Sequence, residues 1–361
     1  MSATWRDPIV TIPRLSTTLL LAPCNLPASR PDFEVVGVFN PGAVRTDDEV
    51  VLLVRVAERP REQRPGFTGL PRWDALTGLT IDWVPNGELE QIDPRVVRRK
   101  VDGLVRLTFT SHLRVIRCGD GTAVREITDV VFRPQGELEE FGVEDPRITP
   151  LNGRFYFTYV AVSRHGPASA LASTADFRTF TRHGVNFCPE NKDVVLFPEK
   201  IGGNYAALHR PVCGTPFTRP EMWFARSPDL LHWGMHTPLT LSGGDWQSGR
   251  VGAGTPPIRV ADGFLAIFHG NRHPTKPGEV GEYAAGALLL DATDPARVLK
   301  WTGKPFMRPE ADFERTGFVP NVVFPTGVVP QGKKLLVYYG AADTVVAVVE
   351  FEVAELLDRL V

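Results

Sequence analysis

A carboxylate pair followed by an arginine, Val143-Glu144-Asp145-Pro146-Arg147-Ile148-Thr149, is the densest cluster of reactive side chains in this sequence. A carboxyl group held beside a cation is the raw material of general acid catalysis. On a strand successive side chains face opposite sides, so one of the two acids is expected to face a site and the other to support it. Arg147, two residues on, returns to the same face as Asp145. The plainer alternative is a strand turn carrying two acids, with Arg147 as their ion-pair partner.

Cations recur elsewhere: Arg55 and Arg59 in Val54-Arg55-Val56-Ala57-Glu58-Arg59, then Arg164-His165, Lys192, His209-Arg210 and His269. His209 and His269 close otherwise apolar stretches at corresponding places. A lone histidine there is ordinarily a hydrogen-bonded structural residue, but several cations at equivalent ends point to an anion or sugar site. Arginine offers a planar fork suited to phosphate or vicinal hydroxyls, and lysine a point charge. Asp343 follows Tyr338-Tyr339-Gly340-Ala341-Ala342, a place from which a carboxylate reaches sugar hydroxyls. The aromatics Trp83, Tyr159, Tyr205, Trp246, Phe268, Tyr283, Tyr338 and Tyr339 read mainly as core.

These residues sit in a phrase used repeatedly. Phe39-Asn40-Pro41-Gly42-Ala43-Val44, the Glu144 copy, Lys192-Asp193-Val194-Val195-Leu196-Phe197-Pro198, Gly254-Thr255-Pro256-Pro257-Ile258 and Val319-Pro320-Asn321-Val322-Val323-Phe324-Pro325 each open a unit. Each is followed by a turn and a short apolar-aromatic strand: Val50 to Arg55, Arg154 to Val162, Asn204 to His209, Phe264 to Gly270 and Lys334 to Gly340. The turns at Ser173–Phe177, Ser227–Trp233 and Asp291–Pro295 carry Ser or Asp that bond nearby amides and reverse the chain. One supersecondary unit repeated in this way predicts an all-β fold, a β-propeller. Asp93-Pro94-Arg95 looks like a further copy, so the count alone permits five or six blades, or an insertion in the first. Only the tail, Val353 to Val361, hints at a helical turn.

At 361 residues the chain exceeds the usual single-domain length, yet closed all-β architectures often do so as one domain. Its 33 Gly and 32 Pro suit many short strands and turns. A net charge near −2 provides no field that gathers nucleic acid or an anionic membrane. The cysteines Cys24, Cys118, Cys188 and Cys213 lack paired spacing, so free thiols in a reducing cytoplasm are expected, with no metal site. No phosphate-binding glycine loop, serine-nucleophile elbow or zinc-protease motif occurs. A signal h-region and a run of about 20 apolar residues are missing, so neither export nor a membrane partner is expected.

In combination the stretches FNPGAV from Phe39, EDPRIT from Glu144, NKDVVLFPEK from Asn191, LHRP from Leu208, SPDLLHWG from Ser227, GAGTPPI from Gly252, FVPNVVFP from Phe318 and YYGAADT up to Thr344 resemble family 130 of the glycoside hydrolases. That family comprises β-mannoside phosphorylases and β-1,2-mannosidases. LLVRVAERP from Leu52 looks most like the branch acting on β-1,2-linked mannosides. The resemblance implies a five-bladed propeller in a single domain spanning 1–361, with 1–36 an extension packed on it and about 60–118 an insertion or extra strands in the first blade. Asp145 matches the family's general acid, which protonates the leaving oxygen through a hydroxyl of the bound mannose. Asn40, Arg55, Arg59 and Asp343 fall where the family holds the mannose ring, Arg147 being grouped with them. Lys192 and His209 match positions near the nucleophile, with Arg164 and His269 as further phosphate-side candidates.

An inverting hydrolase needs a second carboxylate roughly 6.5–9.5 Å from the acid to activate water. A phosphorylase needs only cations that hold phosphate, already a nucleophile, in line with the anomeric carbon. The cationic set therefore favours inverting phosphorolysis with inorganic phosphate as co-substrate, no cofactor, and mannose 1-phosphate as product. Against this, Tyr283-Ala284-Ala285-Gly286 stands where phosphate-binding members carry Tyr-Arg-x-Gly, so one cation is missing. Glu221 and Glu282 are candidate bases for water, which keeps an inverting β-1,2-mannosidase open as the alternative. A non-catalytic carbohydrate-binding propeller is the second alternative. A homo-oligomer is compatible with all three.

Overall fold

The computed structural model describes residues 12–212, 217–241, 244–274, 276 and 278–361. Alternating and continuous apolar runs dictate strands here, and the described residues are all-β: five main sheets and two small ones, with two short α-helices, Asp312–Arg315 and Val353–Asp358. Sheet I runs, from its inner strand outward, Phe33–Arg45, Val50–Pro60, Thr110–Cys118 and Val124–Phe132. Sheet II is Gly142–Leu151, Arg154–Ser163, Gly166–Thr174 and Thr181–Phe187, and sheet III is Asn191–Leu196, Tyr205–Pro211, Met222–Ser227 and Gly234–Leu239. Sheet IV orders Arg250–Ala253, Gly263–Asn271, Tyr283–Leu290 and Val298–Trp301, with Ile258–Val260 also pairing the second of these. Sheet V is Val323–Gln331, Lys334–Ala341 and Val345–Glu352, and its fourth strand comes from the other end of the chain: Ser16–Leu21 pairs antiparallel with Val345–Glu352.

The apolar runs are continuous because each sheet is buried on both faces. Leu53 packs with Ile148 and Phe157 between sheets I and II, while its neighbour Leu52 packs with Leu336 and Val348 between sheets I and V. Ala207 joins the core between sheets II and III, and Leu208 that between III and IV. Ile267 and Ala287 meet Val337 and Val349 between IV and V. Inner strands touch from sheet I to II, II to III and III to IV, while that of sheet V touches the second and third strands of sheet IV and the inner strand of sheet I. Third and fourth strands are joined by the expected side-chain turns: Asp176 Oδ1 accepts from the amides of Arg178 and Thr179, Asp229 Oδ1 from Leu231 and His232, and Asp291 Oδ1 from Thr293 and Asp294.

Between the second and third strands of sheet I the chain makes an excursion, here called the arm. It builds a hairpin, Phe67–Asp74 with Gly78–Pro85, and a three-stranded sheet, Leu89–Asp93, Val96–Arg99 and Val105–Leu107, before Thr110–Cys118 re-enters sheet I. The Asp93-Pro94-Arg95 copy of the repeat belongs to this arm and opens none of the five main sheets. Residues anticipated as an extension contribute the outer strand of sheet V, from Ser16 on, and residues 1–11 lie outside the described part. Cys24, Cys118 and Cys188 are free thiols, and Cys213 lies outside the described residues. No described helix is long and apolar enough to cross a membrane.

Candidate active site

Three inner strands carry the same distortion at the same place. A register shift between Phe39 and Gly42 coincides with Asn40 at φ 50°, one between Glu144 and Arg147 with Asp145 at φ 51°, and one between Lys192 and Val195 with Asp193 at φ 56°. Asn and Asp tolerate this left-handed backbone better than other side-chain-bearing residues, which is why they recur there. A bulge re-aims side chains. The strict alternation expected for Glu144 and Asp145 therefore fails, and both line one cleft. Gly340 makes room for this geometry, since a Cβ there would stand 1.9 Å from Asn40 Oδ1.

The cleft has a volume of about 520 Å³ and draws its wall from all five sheets and the arm. Asn40 and Arg55 come from sheet I, Glu144 and Asp145 from II, Lys192, Asp193 and Arg210 from III, Arg250 and Tyr283 from IV, and Phe324 and Asp343 from V. Asp145 Oδ1 accepts from Asn40 Nδ2 and Arg55 Nη1, both at 2.9 Å. Among the described residues, Asp145 Oδ2 has no such partner and is left for a substrate. Arg55 also donates through Nη2 to Glu144 Oε1 at 2.6 Å, and Lys192 Nζ lies 4.0 Å from Glu144 Oε2. Burial works to raise the pKa of Asp145, but Arg55, Arg147, Asn40 and Lys192 together outweigh it and hold the carboxyl below its ordinary range. For Asp343 the balance reverses. Burial, with Asp145 and Glu144 nearby, outweighs Arg95 and Arg55 and raises its pKa.

Beneath Asp145 lies a buried charge centre. Asp193 is 1% exposed and takes Arg147 Nη2 at 2.9 Å, Arg210 Nε at 2.9 Å and His269 Nε2 at 3.3 Å. Burial alone would raise its pKa, but Arg210, Arg147 and His269 drive it far below the ordinary value. Arg147 also donates to the Asp145 carbonyl at 2.9 Å and to the Gly254 carbonyl at 3.0 Å, which ties three inner strands together.

The anticipated residues thus divide. Asn40, Arg55, Asp145, Lys192 and Asp343 line the cleft together. Arg147 and His269 do not reach its wall, being fully buried under it on Asp193. His209 faces away from the cleft, stacked on Phe187 with ring centroids 4.7 Å apart and bonded to Asn191 and His236, and burial pushes its pKa to about 3. Arg59 is half-exposed and donates to Glu34 at 2.6 Å, and Arg164, 58% exposed, grips Glu140 at 2.7 and 2.9 Å. Glu282 stands 3.7 Å from Arg308, and neither it nor Glu221 lines the cleft. Among the described residues no cluster of metal-ligating side chains occurs.

Four wall residues were not assigned to the site from the sequence, although Arg210 was named among the recurring cations. Arg210 follows His209 on its strand, so alternation turns it to the opposite side, across from Lys192 in the ladder. Asp193 was legible as the equivalent of Asp145 in the third copy. Arg250 donates to Tyr283 Oη at 2.6 Å, a cation delivered from two strands away in sheet IV to the tyrosine whose own stretch lacks one. Arg95 comes from the arm, in the Asp93-Pro94-Arg95 stretch that reads as a copy of the repeat but opens none of the five main sheets.

Residues 105–361 match the model of glycoside hydrolase family 130, described as β-1,4-mannooligosaccharide phosphorylase. The chain belongs to this family. It is 38% identical over 350 residues to a β-1,2-mannobiose phosphorylase of Listeria innocua, covering 94% of this chain and 96% of that one. A 1,2-β-oligomannan phosphorylase of Thermoanaerobacter is 35% identical over 252 residues, 69% of this chain and 81% of its own. The solved structure of the Listeria innocua β-1,2-mannobiose phosphorylase in complex with β-1,2-mannobiose superposes with a TM-score of 0.87 at 37% identity, over 94% of this chain and 96% of that one.

Proposed function

We propose that this chain is an inverting phosphorylase of β-1,2-linked manno-oligosaccharides that releases mannose 1-phosphate. The observation that carries this reading is the wall of the cleft: Lys192, Arg210 and Arg250 share it with Asp145, while Glu221 and Glu282, the carboxylates weighed as bases for water, are not part of it. The names of the two relatives agree with it. In this reading the five sheets are the blades of a closed five-bladed propeller in one domain, the arm being an insertion in the first blade. The three free thiols suit a reducing compartment, the cytoplasm.

The terminal mannosyl unit lies over Asn40, Arg55, Asp145 and Asp343. Lys192, Arg210 and Arg250 hold a phosphate dianion in line with the anomeric carbon, so its oxygen forms the new C1–O bond as the glycosidic C1–O bond breaks. The proton on Asp145 passes to the leaving oxygen through a hydroxyl of the bound mannose. Products are α-configured mannose 1-phosphate and an oligosaccharide shorter by one unit. Asp193 acts through others: it fixes Arg210 toward phosphate and Arg147 under Asp145.

Incubating the purified protein with β-1,2-mannobiose, with and without inorganic phosphate, tests the reading. Mannose 1-phosphate and mannose in equal amounts, formed only when phosphate is present, are expected. Release of mannose alone at the same rate in both samples would replace the phosphorylase with the mannosidase.

A further inference from the structure

The arm brings to the cleft a residue that lies outside the segment matching the family model, which begins at residue 105. At the turn Asp93-Pro94-Arg95, Asp93 Oδ1 accepts the Arg95 backbone amide at 2.8 Å, and the Arg95 carbonyl accepts the Thr108 amide at 2.9 Å. The guanidinium is then clamped on its own turn, Nε on Asp93 Oδ1 at 3.3 Å and Nη2 on Asp93 Oδ2 at 3.1 Å. Nη1 reaches across 248 positions of sequence to Asp343 Oδ2 at 3.4 Å. A side chain held this way loses little entropy when a ligand arrives.

The arm has a tie that does not run through the Arg95 side chain. Arg106 ties its two small sheets together, donating to Asp82 Oδ2 at 3.0 Å and to the Leu70 carbonyl at 3.0 Å. Arg95 and Asp343 both line the cleft, and a guanidinium has five N–H donors, of which these contacts engage three. The two that remain, beside a carboxylate that only accepts, form an alternating donor and acceptor edge matched to vicinal hydroxyls, each of which both gives and takes a hydrogen bond.

We propose that Arg95 is a substrate-positioning residue at the sugar end of the cleft, orienting Asp343 and donating to the vicinal hydroxyls of the terminal mannosyl unit. This rests on the phosphorylase reading above. The groups facing Asp343 are Arg95 from the arm, Arg55 from sheet I, and Asp145 and Glu144 from sheet II. Removing Arg95 leaves Arg55 as the single cation against two carboxylates, so protonation of Asp343 moves to higher pH.

The test compares wild type, Arg95→Ala, Arg95→Lys and Arg98→Ala in phosphorolysis of β-1,2-mannobiose. Arg98 is an exposed residue of the same small sheet, paired with Glu90, and its loss should leave activity unchanged. Arg95→Ala is expected to raise KM for mannobiose about tenfold or more, as loss of a charge-assisted contact does. KM for phosphate should stay within about twofold, because ground-state binding on that side is untouched. Lysine at 95, a charge without the fork, should recover part of the loss, and in the alanine variant the acid limb of kcat/KM should move up in pH. An unchanged mannobiose KM with an unmoved acid limb overturns the proposal. So does an equal rise in phosphate KM, or the same defect in Arg98→Ala, since either would mean a collapsed arm. Wild type inactive with phosphate and mannobiose overturns the phosphorylase reading instead. Calorimetric titration with mannose then decides on Arg95: weaker binding by Arg95→Ala supports it, and equal affinity rejects it.

Discussion

Asp145 is asked to be an acid in surroundings that favour its ionised form. Arg55, Arg147, Asn40 and Lys192 outweigh burial and depress its pKa in the free protein. A bound phosphate dianion adds negative charge and partly neutralises Lys192 and Arg210, which raises the carboxyl's proton affinity at the moment the proton is needed. The sign follows directly: phosphorolysis requires protonated Asp145, and the alkaline limb of kcat, which reports the bound complex, should lie at higher pH than that of kcat/KM, which reports the free enzyme. Coincident or inverted limbs in steady-state pH profiles would rule this coupling out. Asp145→Asn should lower kcat by roughly 10²–10⁴-fold, the usual worth of general acid help. Turnover within a few-fold of wild type would remove Asp145 from the role.

Asp193 does its work between elements, because its two arginines come from the inner strand of sheet II and the second strand of sheet III. Breaking a buried pair by removing one partner typically costs about 3–5 kcal/mol, and Asp193→Asn should cost about that much in urea unfolding at neutral pH. Its folded pKa is depressed, so the stability it supplies is present above the unfolded value of about 3.9 and is lost as pH falls below it. The variant should accordingly lose less stability than wild type between neutral pH and pH 3, and parallel acid profiles would refute the assignment. What the sequence made legible at this scale were the strands and copies. The predicted Arg154 to Val162 is Arg154–Ser163, and Lys334 to Gly340 is Lys334–Ala341. The family resemblance added Asn40, and reading the residues led to Asp145 or its neighbour, to Lys192 and to Asp343. It failed where local geometry departs from alternation, as at Glu144 and Asp145, where a bulge turns two neighbours to one cleft. It failed again where one residue of phase decides orientation: His209 was chosen, and Arg210 faces the cleft. Arg95 sat in a stretch that read as a copy of the repeat, yet its place depends on how an insertion folds back, which that likeness does not encode.

Over the whole molecule, stability depends on the seam where the two ends of the chain meet. Leu21, 1% exposed on the first strand, packs in the core shared by sheets I and V. Leu21→Ala should destabilise by about 2–5 kcal/mol, as truncations of buried leucine do. A cost below about 1 kcal/mol in chemical denaturation would mean that this strand is a loose appendage. The pairing of Ser16–Leu21 with Val345–Glu352 also sets a clock for synthesis. At about 5–20 residues per second, Ser16–Leu21 waits on the order of 20–60 s after its own synthesis for its partner. Until then this strand has no ladder to join, and the nascent chain carries it as an unpaired edge. Completion of sheet V is thereby reserved for chains translated through Val345–Glu352.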